Sequence, residues 1–191
     1  RSKIQEECGA ADDRILVITD PEKGVFRAFA SETGCRSLEI PSSVGGRYSV
    51  LSAGGLVSAA ALGIDIQALL AGAAAMRAKI ISTDATANPA YQLAALHYYH
   101  EKLKRPMVVL MPYSSRLERF AEWFAQLWAE SIGKDGKGTT PIRALGAIDQ
   151  HSQVQLYTDG PDDKLYTLIY VKNHGVEISV PAVADTSLEP L

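Results

Sequence analysis

Cysteine is almost missing. Cys8 and Cys35 are the two in 191 residues, and neither forms a CxxC pair or has a histidine beside it. That excludes a disulfide framework and the thiolate zinc sites, and it predicts reduced thiols in a cytoplasmic protein. Positive charge is also short: 19 Lys and Arg stand against 22 Asp and Glu, a formal net charge of −3. With no basic stripe to neutralise phosphates, nucleic acid is not an expected partner. Long apolar runs are absent too. The longest, residues 49–62, is interrupted by Ser52, Gly54, Gly55 and Ser58. It is too short to cross a bilayer, so no membrane partner is expected and the run reads as a core helix. A phosphate loop is lacking in the one place that suggests it. GKDGKGTTP, residues 133–141, would need Gly, four residues and then Gly-Lys-Ser/Thr, but Ser131 stands five positions before Gly136 and Gly138 follows Lys137. A tight polar turn is the better reading. Residues 1–10 show no leader pattern and read as the end of a helix stopped at Gly9, which gives the expectation of a chain cut from something longer.

What is present describes a globular protein with 47% hydrophobic and 21% charged residues, enough chain for one domain or two small lobes with a full core. Apolar β-rich runs alternate with helical patterns. RILVITD (14–20), CRSLEIP (35–41), MVVLMPYS (107–114), residues 142–148 and LYTLIYV (165–171) read as strands. Helices are expected over KGVFRAFASETG (23–34), closed by Gly34, over residues 65–78 and 90–104, over 116–130, and from His151 onward. The tail, 178–191, carries few regular signals. Strand and helix alternating through short connections predict an α/β fold with a doubly wound parallel sheet. The polar stretch STDATANP, 82–89, is the expected lobe boundary, leaving parts 1–81 and 82–191.

Two stretches carry candidate chemistry. On the helix over 116–130, Leu117, Phe120, Ala121, Phe124, Leu127 and Trp128 recur at three- and four-residue steps, and Glu130 falls near the C-terminal end. There the helix dipole disfavours a negative charge, and neighbouring Trp128 would add apolar surface. Both would raise the carboxyl's pKa toward the range of a general base. The alternative is a solvated glutamate in a fraying last turn. A glycine-rich turn then leads to His151. Earlier, PSSVGGRYSVLSAGGL sets Arg47 directly after Gly45 and Gly46, where an arginine can fork onto a carboxylate, phosphate or developing oxyanion. A plain glycine turn with a structural arginine reads equally well. His97 and His100 lie three apart on one helix, but no third ligand at metal-binding spacing is nearby.

Together, SVGGRYSVLSAGGL and AEWFAQLWAESIGKDGKGTTPIRALGAIDQHSQVQLYTDG resemble, in order and over nearly the whole chain, two conserved regions of the glucose-6-phosphate isomerase (phosphoglucose isomerase) family in its bacterial form. The resemblance implies a three-layer doubly wound parallel sheet in sugar-isomerase (SIS) type lobes, incomplete in this chain: the end of the first lobe with connector helices in 1–81 and the start of the second in 82–191. It implies an aldose–ketose isomerisation of a sugar phosphate through a cis-enediol. Glu130 matches the family's catalytic base, His151 its ring-opening histidine, and Arg47, beside the substrate-binding Gly46, the arginine that stabilises the intermediate. No metal or organic cofactor is implied. A homodimer is, because the family's histidine comes from the other subunit. The family's phosphate-holding serine/threonine loop and C-terminal glutamine and lysine have no match here. A phosphosugar-binding SIS module without turnover, or an inactive fragment, is the competing class. It would need the phosphate loop and not Glu130, and the chain has the reverse.

Overall fold

The structure is a computed structural model that describes residues 2–9 and 11–179. The chain divides into two compact units between Tyr99 and His100, and each holds parallel strands linked through helices, the expected α/β pattern.

In the first unit, α1 (Ser2–Cys8) stops at Gly9, whose φ of 77° suits glycine. β1 (Leu16–Thr19) and β2 (Arg36–Glu39) pair in parallel, Leu16 opposite Arg36 and Thr19 opposite Glu39. The crossover is α2 (Val25–Thr33), closed as expected by Gly34 at φ 69°. Val17, Ala30 and Cys35 form the core, with Ile15 and Phe29 packed against them. A small core results, since two four-residue strands offer little surface to bury.

The single core helix expected over 49–62 is instead a 3₁₀ turn, Gly46–Leu51, followed by α3 (Ala53–Ala61), and no residue of α3 is buried. Two local causes break it. Ser52 caps α3 by accepting the Gly54 N–H. The chain also folds back so tightly that a Cβ on Gly55 would come within 2.1 Å of the Val50 carbonyl oxygen. α4 (Ile66–Ile80) starts at Asp65, which accepts the N–H groups of Gln67 and Ala68. The polar stretch 82–89 is a tied turn: buried Asn88 donates to the carbonyls of Ile80 and Ser82 and accepts from Ala90 and Tyr91. α5 (Pro89–Lys102) follows and runs through the division between the units.

The second unit is built on β3 (Met107–Pro112), with β4 (Thr140–Arg143) on one side and β5 (Lys164–Ile169) on the other, all parallel. Val108, Val109, Leu110 and Met111 are all buried, as a central parallel strand covered on both faces requires. α6 (Glu118–Ile132), entered through the 3₁₀ turn Ser115–Leu117, links β3 to β4, and α7 (Ile148–Asp159) links β4 back across to β5. Right-handed crossovers in opposite directions put these helices on opposite faces of the sheet. Tyr157 of α7 packs with Val109, Met111 and Ala144 on one face, while α6 packs on β3 and β4. This is the doubly wound three-layer arrangement in one unit.

The 133–141 stretch is a polar turn as expected. Lys134 bridges to Lys137 around Asp135 and Gly136, both at positive φ (53° and 69°), the signature of a two-residue hairpin. The strand expected over 142–148 occupies 140–143, and the helix expected from His151 begins at Ile148. The cause is a turn with no cap in the sequence: Ala147 takes φ 68°, and the Asp149 carboxylate accepts the Leu145 N–H at 2.6 Å. Most of the weakly patterned tail, residues 180–191, lies outside the described residues.

Candidate active site

Glu130 occupies the last turn of α6 and is exposed. Gln126, one turn earlier, donates from Nε2 to its Oε1 at 3.1 Å. The expectation that Glu130 lies beside Trp128 does not hold. Two residues of helix turn a side chain by about 200°, and the half-buried Trp128 faces inward, stacked on Phe124 at 5.5 Å and donating from Nε1 to Thr139 at 3.0 Å. Glu130 does lie near the C-terminal end of the helix, as expected.

His151 is exposed at the end of the first turn of α7, its backbone N–H on the Ala147 carbonyl at 3.1 Å. Three sequence neighbours tie this turn to the sheet. Asp149 receives the Leu145 N–H at 2.6 Å, Gln150 receives the Tyr113 hydroxyl at 2.5 Å, and the Gly146 N–H donates to Pro112 at 2.8 Å. The sequence reading did not single out Tyr113, Asp149 or Gln150. The available signal was an aromatic at the end of an apolar strand run, with an Asp-Gln pair leading into the histidine.

Arg47 belongs to the first unit, in the 3₁₀ turn after Gly45 and Gly46. It is half-buried, with its guanidinium 5.0 Å above the Tyr48 ring. A Cβ on Gly46 would meet nothing within 4 Å, so packing within this chain does not require glycine there and the backbone is open on that side. A cavity of about 440 Å³ lies against this turn, lined by Glu39, Pro41, Val44, Tyr48, Leu51 and Ser52. It opens at the carboxyl end of β2, where parallel sheets of this kind hold ligands.

The second unit separates Glu130 from His151. A crossover helix runs antiparallel to its strands, so α6 leaves the carboxyl end of β3 and delivers Glu130 to the amino end of the sheet. Contacts mark that end: Trp128 reaches Thr139 just before β4, and Thr140 N–H meets the Pro106 carbonyl just before β3. α7 starts at the opposite end, where Tyr113 follows β3 and Leu145 follows β4. β3 has six residues, which at about 3.3 Å each put roughly 17–20 Å between the two ends. His97 is buried on α5, and the His100 ring nitrogen lies 3.0 Å from Arg105. Among the described residues no three His, Cys, Asp or Glu side chains are grouped to hold a metal.

The family model described as Phosphoglucose isomerase matches residues 15–156. A curated relative from Rubrobacter xylanophilus, named glucose-6-phosphate isomerase, is 47% identical over 169 residues, which is 88% of this chain and 39% of that protein. Among solved structures, a hypothetical protein from Thermus thermophilus is similar with a TM-score of 0.87 and 36% identity, over 97% of this chain and 46% of that one. A glucose-6-phosphate isomerase from Chlamydia trachomatis shares the fold, with a TM-score of 0.72 and 23% identity over 89% and 34% of the two chains. The chain thus spans about two-fifths of the length of its curated relatives.

Proposed function

The chain belongs to the phosphoglucose isomerase family, and from that premise we propose that the protein carrying it interconverts glucose 6-phosphate and fructose 6-phosphate in the cytoplasm, as in glycolysis and gluconeogenesis. The reaction moves a proton between neighbouring carbons. After the sugar ring opens, a base takes the proton α to the carbonyl and returns it to the adjacent carbon through a cis-enediol. Glu130 is that base. Its carboxylate is exposed at the end of α6, where it is open to a substrate and able to accept a proton. Arg47, planar and always charged, stabilises the negative oxygen of the enediolate, and the open backbone at Gly46 gives the substrate room beside it. His151 moves the proton that opens the ring, since an imidazole can both donate and accept one.

The observation that carries this reading beyond family membership is the placement of Glu130 and His151 at opposite ends of one sheet. A single site that uses both must take them from two copies of the chain, which supports a homodimer with shared active sites. Glu130→Gln tests the base in a full-length enzyme carrying this chain. The amide keeps the shape and cannot accept the proton, so exchange of the substrate C2 proton with solvent should fall by at least about 10³-fold while substrate affinity changes little. Wild-type exchange in that variant would remove Glu130 from the mechanism.

A further inference from the structure

The start of α7 has an unusual support. Its N-cap residue, Ala147, offers no side-chain cap and sits at φ 68°, ψ −52°, a backbone state unfavourable for a residue with a Cβ that persists only where the surroundings enforce it. The enforcement comes from the end of β3. Tyr113 N–H donates to the Ile169 carbonyl at 2.7 Å, which fixes this residue to β5. Its ring lies over Gly146 so closely that a Cβ there would stand 2.4 Å from Cγ. Its hydroxyl then donates to Gln150 Oε1 at 2.5 Å. Tyr113 therefore touches the turn at both ends, over Gly146 before Ala147 and at Gln150 after it, and the residue next to Gln150 is His151.

We propose that Tyr113 is a positioning residue for His151: its ring and hydroxyl set the direction in which the first turn of α7 presents the imidazole. The proposal rests on the reading of His151 as the ring-opening group. A histidine aimed across a subunit boundary at a sugar oxygen needs its helix start held in rotation. The Asp149–Leu145 and Gly146–Pro112 bonds hold the turn before the helix, and the Tyr113 hydroxyl reaches the residue next to the histidine. The Tyr113–Gln150 bond supplies that restraint from the most deeply buried strand of the unit.

A mutant cycle in the full-length enzyme separates this role from a merely structural one. Tyr113→Phe keeps the ring over Gly146 and removes only the hydroxyl, so kcat should fall about three- to tenfold, the scale of one hydrogen bond, with KM nearly unchanged. Gln150→Met should do the same, and Gln150→Glu, which keeps an acceptor for the hydroxyl, should restore most of the rate. In a His151→Ala background, Tyr113→Phe should have no further effect. An equal loss in both backgrounds, or no loss from Tyr113→Phe in the wild type, would overturn the proposal. Full activity in His151→Ala itself would instead overturn the role given to His151, and the proposal would fall with it.

Discussion

The Arg47 guanidinium lies over the Tyr48 ring at 5.0 Å, a contact that holds a flat, delocalised cation better than an ammonium. Lysine at this position keeps the charge and loses both the stacking and the fork of donors. Arg47→Lys in the full-length enzyme should lower kcat about 100-fold, the scale of removing one oxyanion donor, with KM within about threefold. Steady-state kinetics check this, and a loss confined to KM would make Arg47 a ground-state anchor instead. Glu130, His151 and Arg47 each follow a local pattern, a helix end, a glycine turn and a glycine pair. Each pattern also admits a plain structural reading, and the two ordered motifs of the family are what single them out. Their surroundings were less legible. The sequence places Trp128 near Glu130 along the chain, but helical rotation sends the indole to Thr139 and leaves the carboxylate outside. Tyr113 escaped notice because its importance comes from contacts 33 and 37 positions away, at Gly146 and Gln150.

At the scale of elements, the strands with continuous apolar runs were readable almost to their ends. β3 was expected over 107–114 and spans 107–112, because a strand covered on both faces must be apolar throughout. β4 and α7 were misplaced by several residues, since the turn between them depends on the Asp149 carboxylate and a positive φ at Ala147, neither of which has a sequence signature. α7 in turn depends on aromatic packing to reach β5. Tyr157 meets Tyr166 edge-on at 5.0 Å, and its hydroxyl donates to Gln153 at 2.8 Å. Burial raises the pKa of both phenols; the neighbouring Tyr166 and Asp149 add to the effect on Tyr157, while on Tyr166 the Lys164 ammonium opposes it and Asp163 and Asp162 add to it. A raised pKa in the folded state means the unfolded chain ionises first. The stabilisation is therefore complete below the unfolded value of about 10 and is lost as pH rises from there through the folded values. Thermal melts between pH 8 and pH 11.5 should show Tm falling above about pH 10. Tyr157→Phe, which has no ionisable hydroxyl, should show a shallower fall, and an equally steep one would remove Tyr157 as a source of the alkaline sensitivity.

For the whole molecule, 191 residues could have enclosed one large core. They form two units with modest ones, Val17, Ala30 and Cys35 in the first and Val109, Met111 and Ala144 in the second. Apolar side chains remain outside them, among them Leu62 at 79% exposure and Ile148 at 65%. Ile148 opens α7, the helix that carries His151, so the surface around the histidine is one that association would cover. The sheet of the second unit keeps Glu130 and His151 at opposite ends, and the proposed two-fold dimer would convert that separation into two shared sites, each with Glu130 from one copy and His151 from the other.

Subunit complementation measures this directly. Full-length Glu130→Gln and His151→Ala are each expected to be nearly inactive as homodimers. Co-expressed in equal amounts, they should form mixed dimers as about half of all pairs, and each mixed dimer carries one site with both groups intact and one with neither. Activity should therefore recover to about a quarter of the wild-type value. Two inactive variants that stay inactive when mixed dimers are shown to form would contradict the shared site, and with it the assignment of Glu130 and His151 to one reaction centre.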